Sequence, residues 1–200
     1  MKKVMLLAVL MLLVVPVTSK AVEPNEPNQP KLVTFQGVPW GCSIEQIKEK
    51  MGGDPNIVLD KSVVYQPIKI SGLNSGAMFI IKHKQFLRGR YIFIEEHSND
   101  NLFLDDFNTI DKALKNKYGE PTRHEVFWRN DLYKDDYSHW GFAMSIGHLV
   151  WFSTWEIKDV KIIHMAAGDK YHISHFLEYS EKTMSQLEKT FDEEDNNSKL

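Results

Sequence analysis

Three sets of residues have the types and spacing that chemistry requires. The first is Cys42, the chain's only cysteine, in the stretch Val38-Pro-Trp-Gly-Cys-Ser-Ile-Glu-Gln-Ile47. Ser43 followed by Gln46 has the Ser-x-x-Gln form of a capping box, which puts Cys42 just before a helix N-terminus. The positive end of a helix dipole lowers a thiol pKa, and reactive cysteines are often poised in this way. A nucleophile also needs a base. His83, His97, His124, His139, His148, His164, His172 and His175 are available, but none stands in a local nucleophile signature. The competing reading makes Cys42 a small, semi-buried residue in a strand-to-helix joint marked by Gly37, Pro39 and Gly41 and plugged by Trp40. That structural reading is preferred to catalysis, to a disulfide-linked dimer and to a redox adduct.

The second set is His172-Ile-Ser-His175-Phe-Leu-Glu178. On a helix these three side chains would share a face and converge on a metal ion. The alternation of Tyr171, Ile173, His175, Leu177 and Tyr179 with His172, Ser174, Phe176 and Glu178 favours a strand instead. A strand puts His172 and Glu178 on one side and His175 on the other, so no metal site is expected. The third set comprises the pairs Asp105-Asp106 and Asp135-Asp136. The first lies in an opening helical turn, where the dipole stabilises carboxylates without any function. The second lies in Asn130-Asp-Leu-Tyr-Lys-Asp-Asp136, read as a solvated loop. No catalytic residue and no cofactor is expected.

The elements that position these residues come as two similar runs. Ser43 to Pro55 and Thr109 to Pro121 both read as lysine-rich amphipathic helices that stop at Gly, an acid and Pro. Ile44, Ile47 and Met51 form the apolar stripe of the first, and Phe103, Phe107, Ile110, Leu114 and Tyr118 that of the second. Strands are expected after the first at 62–70, 77–83 and 91–96, with Phe86 to Arg90 as a hairpin turn. After the second they are expected at 123–128, 140–146, 149–157, 160–165 and 171–179, with tight turns at Ser145 to His148 and Ala167 to Lys170. The resulting expectation is an α+β fold of two tandem helix-plus-antiparallel-sheet units, at 32–98 and 99–180, with helices packed on one sheet face.

This layout, with its Phe35-x-Gly-Val-Pro-Trp-Gly41 entry, resembles the β-lactamase-inhibitor-protein-like fold and the small lipoprotein of the outer-membrane β-barrel assembly machinery. The resemblance implies a sheet face free to meet a protein partner. It transfers no individual residue.

The ends and the charge bound where such a module works. Met1-Lys-Lys, the apolar run from Val4 to Val15 and Ser19-Lys20-Ala21 are the parts of a signal peptide cleaved after Ala21. The run is shorter than the ~20 residues that span a bilayer, so no stable membrane anchor is expected. Residues 22–31 carry Pro24, Pro27 and Pro30 and read as a linker; 181–200 read as a short helix followed by an acidic disordered tail. Removing Lys2, Lys3 and Lys20 from 24 basic residues leaves 21 against 27 acidic, a mature net charge of about −6 that argues against nucleic acid. The protein is therefore expected in the periplasm or secreted.

Aromatic residues supply the expected contact surface. Trp151, Ser153 and Trp155 share one strand face and Phe152 and Thr154 the other; Tyr91 and Phe93 oppose Ile92 and Ile94. If the isoleucines meet a helix, Tyr91, Phe93, Trp151 and Trp155 form a partner-binding surface for an envelope or secreted protein. An inhibitor of a secreted hydrolase is the alternative function, and a Cys42-dependent enzyme the next.

Overall fold

In the computed structural model, which describes residues 33–197, helix α1 (Ile44–Met51) leads into strands β1 (Ile57–Leu59), β2 (Ser62–Ile70), β3 (Leu73–Lys82) and β4 (Gln85–Phe93). Helix α2 (Leu102–Tyr118), strand β5 (Arg123–Trp128) and helix α3 (Trp140–Ser145) follow, then β6 (Leu149–Ile157), β7 (Val160–Asp169), β8 (His172–Glu181) and helix α4 (Lys182–Asn197). The signal sequence and linker expected at 1–31 lie outside the described residues. No described helix is long and apolar enough to cross a membrane.

Two tandem helix-plus-sheet units are not what forms. All eight strands make one antiparallel sheet in the order β1-β2-β3-β4-β8-β7-β6-β5, and the described residues fall in one compact unit. The physical reason is the pairing of β4 with β8, from Arg88↔Ser180 to Ile92↔Phe176. Each four-stranded meander would otherwise expose the last strand's edge, and the two cover each other. The helices do not divide evenly either. The eight-residue α1 buries only Ile47 completely, whereas the 17-residue α2 buries Leu104, Phe107, Ile110 and Leu114. Helix α3 adds a third layer element, and α4 meets the opposite side of the sheet through Glu188 and Arg88.

Local chemistry explains the boundaries. The Ser43 capping box forms in both directions, and Gly52 closes α1 in the left-handed conformation. The expected turn at Phe86 to Arg90 belongs to β4; the chain reverses at His83 and Lys84, both with positive φ. Gly89 within β4 lies against the Phe35 ring, and a Cβ there would occupy the ring's position. The strand expected at 140–146 is α3. Gly141 presses on the backbone of Asp100 and Asn101, and its N–H donates to Asn101 Oδ1 at 2.7 Å, an approach that only the helix allows. Helix α4 continues through the acidic run expected to be disordered, because Asp192 and Asp195 pair with Lys82 at 2.6 and 3.0 Å.

Face by face, the sheet is asymmetric. On the side of α1, α2 and α3, Phe35, Phe79, Tyr91, Trp155, Ile162 and Tyr179 form one apolar cluster and Leu104, Phe107, Met144, Leu149 and Trp151 another. Trp155 is 1% exposed, and its Nε1 donates to the Gly119 carbonyl at 2.8 Å. Trp155→Ala should therefore lower the unfolding free energy by about 3–5 kcal/mol in urea denaturation. A change under about 0.5 kcal/mol, the level typical of surface substitutions, would contradict this packing.

Candidate functional site

The four residues expected at a partner surface all point the other way. Tyr91, Phe93, Trp151 and Trp155 are 9%, 8%, 7% and 1% exposed and lie in the two core clusters. The inference from Ile92 and Ile94 inverted the faces: Ile94 is exposed and Ile92 half-buried, while the larger rings face the helices. Ring area decides this, because an aromatic side chain removes more apolar surface from water than isoleucine does.

Cys42 is buried in the joint, packed in the first cluster, and its carbonyl accepts from the Phe86 N–H at 2.9 Å. Burial pushes its thiol pKa up from the ordinary value, a backbone hydrogen bond opposing this only in part. The dipole argument from sequence is thereby outweighed by desolvation. Ellman's titration of the native protein should show Cys42 reacting more slowly than a free cysteine at pH 7 and reaching full reactivity only on unfolding. A native rate above that of free cysteine would restore the nucleophile.

The strand reading of 172–178 holds in β8. His172 is exposed, His175 lies in the helix-covered core, and Glu178 is on the far face, where Arg90 Nε donates to it at 2.9 Å and Arg88 Nη1 at 3.3 Å. Among the described residues no group of three or more His, Cys, Asp or Glu is placed to hold a metal.

What the fold does bring together is a branched chain of polar groups meeting at Asp111 on α2. Ser153 Oγ donates to Asp111 Oδ1 at 2.6 Å, His124 Nδ1 lies 2.8 Å from Ser153 Oγ, and Trp151 Nε1 donates to His124 Nε2 at 3.4 Å. The serine proton is committed to the carboxylate and the indole proton to Nε2. His124 must then donate from Nδ1 to the serine oxygen. Serine, histidine and aspartate are all present, but the histidine is a donor to the serine and the serine is fully buried. This is a structural tie between α2, β5 and β6, with no nucleophile.

The second branch runs through two buried imidazoles. His164 Nδ1 lies 3.7 Å from Asp111 Oδ1, and His164 Nε2 lies 2.8 Å from His175 Nε2. Phe107 stacks on His164 at 3.9 Å and Phe93 on His175 at 4.2 Å. Burial raises the Asp111 carboxyl, but the nearby His164, the hydrogen bond from Ser153 and the Lys115 ammonium outweigh it and hold the pKa at about 2. Burial lowers the pKa of His164, the Asp111 charge offsetting part of this, and lowers that of His175 further, aided by repulsion from His164. Sequence reasoning missed Asp111 and His164. Asp111 was one polar residue in a lysine-rich helix, and His164 was one position in an apolar alternation.

The sign of the pH dependence follows. A histidine whose pKa falls on folding binds its proton more readily in the unfolded chain, so stability is complete above the ordinary value of 6.5 and is lost as pH falls below it. Urea midpoints should drop between pH 7.5 and 5.5, and His175→Phe should flatten that drop. Equal slopes in both proteins would refute the assignment.

At His175 this interior chain reaches the surface of a cleft of about 700 Å³. The cleft exists because the β4–β8 ladder stops at Ile92↔Phe176 while β8 continues back to His172. β4 meanwhile keeps its pairing with β3, Phe93 opposite Ser75. Glu95, Glu96, His97, Asp100 and Phe103 wall one side and residues 171–176 the other.

The sheet face opposite α1, α2 and α3, which α4 meets at Arg88, opens into the same cleft. Phe152 pairs with Met165, Met165 with Phe176 and Phe176 with Ile92, so four apolar side chains line up across β6, β7, β8 and β4. All four are half-buried. The Arg90 guanidinium lies 4.5 Å from the Phe176 ring centre, and Arg123 5.0 Å from that of Phe152. Comparison with models of known protein families, with curated protein sequences and with solved structures finds no match to this chain.

Proposed function

We propose that this chain is an exported, non-enzymatic protein-binding module that meets an envelope or secreted partner through the sheet face opposite α1, α2 and α3. The observation that carries the reading is the in-register row Phe152, Met165, Phe176 and Ile92. Apolar side chains aligned across four strands and flanked by Arg90 and Arg123 have the anatomy of an interface, with a hydrophobic centre and a charged rim. The export signal read at residues 1–21 points to the compartment. The non-enzymatic reading is supported by a buried Cys42 thiol and by a Ser153 hydroxyl whose proton is held by Asp111.

A photo-crosslinking residue at Phe152 or at Met165 should yield one discrete adduct in cells, while the same residue at exposed Lys112 on α2 yields none. Absence of an adduct from the sheet face, or equal labelling from Lys112, would overturn the proposal.

A further inference from the structure

The cleft at the β4–β8 split has features the flat apolar row lacks. Its carboxylates outnumber its permanent cations: Glu95, Glu96 and Asp100 line it, against Arg90 alone. The Arg90 guanidinium is itself spent on Glu178, to which Nε donates at 2.9 Å. Beneath the carboxylates lie Ile92, Phe93 and Phe176, so a ligand that fits is both cationic and partly apolar. On the β8 side, His172–His175 pair with β7 but have no partner in β4. A strand edge left open inside a cleft is a template for an extended segment, whose main-chain hydrogen bonds continue the ladder.

The floor adds an independent chemical requirement. His175 is 2% exposed, lines the cleft, and its Nδ1 has no hydrogen-bond partner. Its protonation is set from behind. The Asp111 carboxylate, 3.7 Å from His164 Nδ1, favours a proton on that nitrogen. Neutral His164 then has a lone pair at Nε2, so the proton in the 2.8 Å contact belongs to His175 Nε2. Nδ1 of His175 is left as a bare acceptor under the stacked Phe93 ring. A ligand bearing N–H groups complements it, and a carboxylate or phosphate does not.

From these observations we infer that the cleft receives an extended, lysine- or arginine-bearing segment of the protein partner, laid along His172–His175 with its cation between Glu96 and Asp100. The inference rests on the protein-binding reading above and assigns the class of segment recognised. The segment's backbone extends β8, its cation meets the acidic wall, and an N–H of the segment reaches His175 Nδ1 as the Phe93 ring turns aside. The aligned row from Phe176 to Phe152 continues the contact across the sheet.

Fluorescence anisotropy of the full chain with a labelled peptide, acetyl-Gly-Val-Lys-Val-Lys-Val-Gly, tests this against the same peptide with glutamate in place of lysine. The basic peptide should bind at least about tenfold more tightly, and the advantage should shrink on going from about 0.05 to 0.5 M salt. Glu96→Gln combined with Asp100→Asn should weaken it about fivefold or more and remove most of the salt dependence. His175→Phe, which keeps the ring stack, should weaken both peptides with an unchanged circular dichroism spectrum. Amide shifts on titration should cluster at 94–97 and 172–175. Equal affinity for the two peptides, no binding of either at about 1 mM, or insensitivity to the paired carboxamide variant would overturn the inference. Discrete cross-linking from Phe152 and Met165 alongside such a result would leave the module reading standing and remove only the basic segment; absence of that cross-linking would remove the module reading itself.

Discussion

The short ladder between β4 and β8 is the constraint on which the rest of the molecule depends. It joins two meanders into one sheet, and it does so with a buried charge at its centre: Glu178 sits opposite Arg90 and accepts hydrogen bonds from both Arg90 and Arg88. A carboxylate buried this deeply is tolerated only because its partners neutralise it, and removing both would strand the charge at a cost of about 3–5 kcal/mol. The pairing also specifies register. A slip of β4 by one residue against β8 would turn Tyr91 out of the core and Arg90 into it.

The same ladder is incomplete, and its incompleteness makes the cleft. β4 follows β3 beyond Phe93, β8 follows β7 back to His172, and the two diverge where Phe93 stacks on His175. Two polar systems therefore meet at the end of the joint. One is the open strand edge with its acidic wall, and the other is the interior line from Asp111 through His164 to His175. Burial makes that line costly to protonate, so the elements it ties together, α2, β7 and β8, are the ones whose packing depends on pH.

Much of the local structure was legible. The Ser43/Gln46 cap and the stop at Gly52 follow from backbone donors that need satisfying and from glycine's access to positive φ. The apolar stripes predict the cores of α1 and α2, alternation predicts β8, and β5 and β6 fall at the expected 123–128 and 149–157. Other features were not legible for a specific reason. Trp140 to Ile146 is too short an apolar run for periodicity to separate helix from strand, and the contact of Gly141 with residues 100 and 101, which decides it, is remote in sequence. The acidic stretch after Phe191 lacks any apolar reason to fold, and it becomes helical because Lys82 and His83 lie across from it.

Sequence by itself determined which residues share a strand face: Tyr91 with Phe93, and Trp151 with Trp155, apart from Phe152. That follows from the two-residue period of an extended chain. Tertiary structure alone decided which face α1, α2 and α3 cover, and they cover that of Tyr91, Trp151 and Trp155, leaving Phe152, Met165, Phe176 and Ile92 half-buried on the opposite side. Alternation is a property of the local backbone. Burial is a competition between the two faces for the same helices, and it is settled only when the whole sheet has formed.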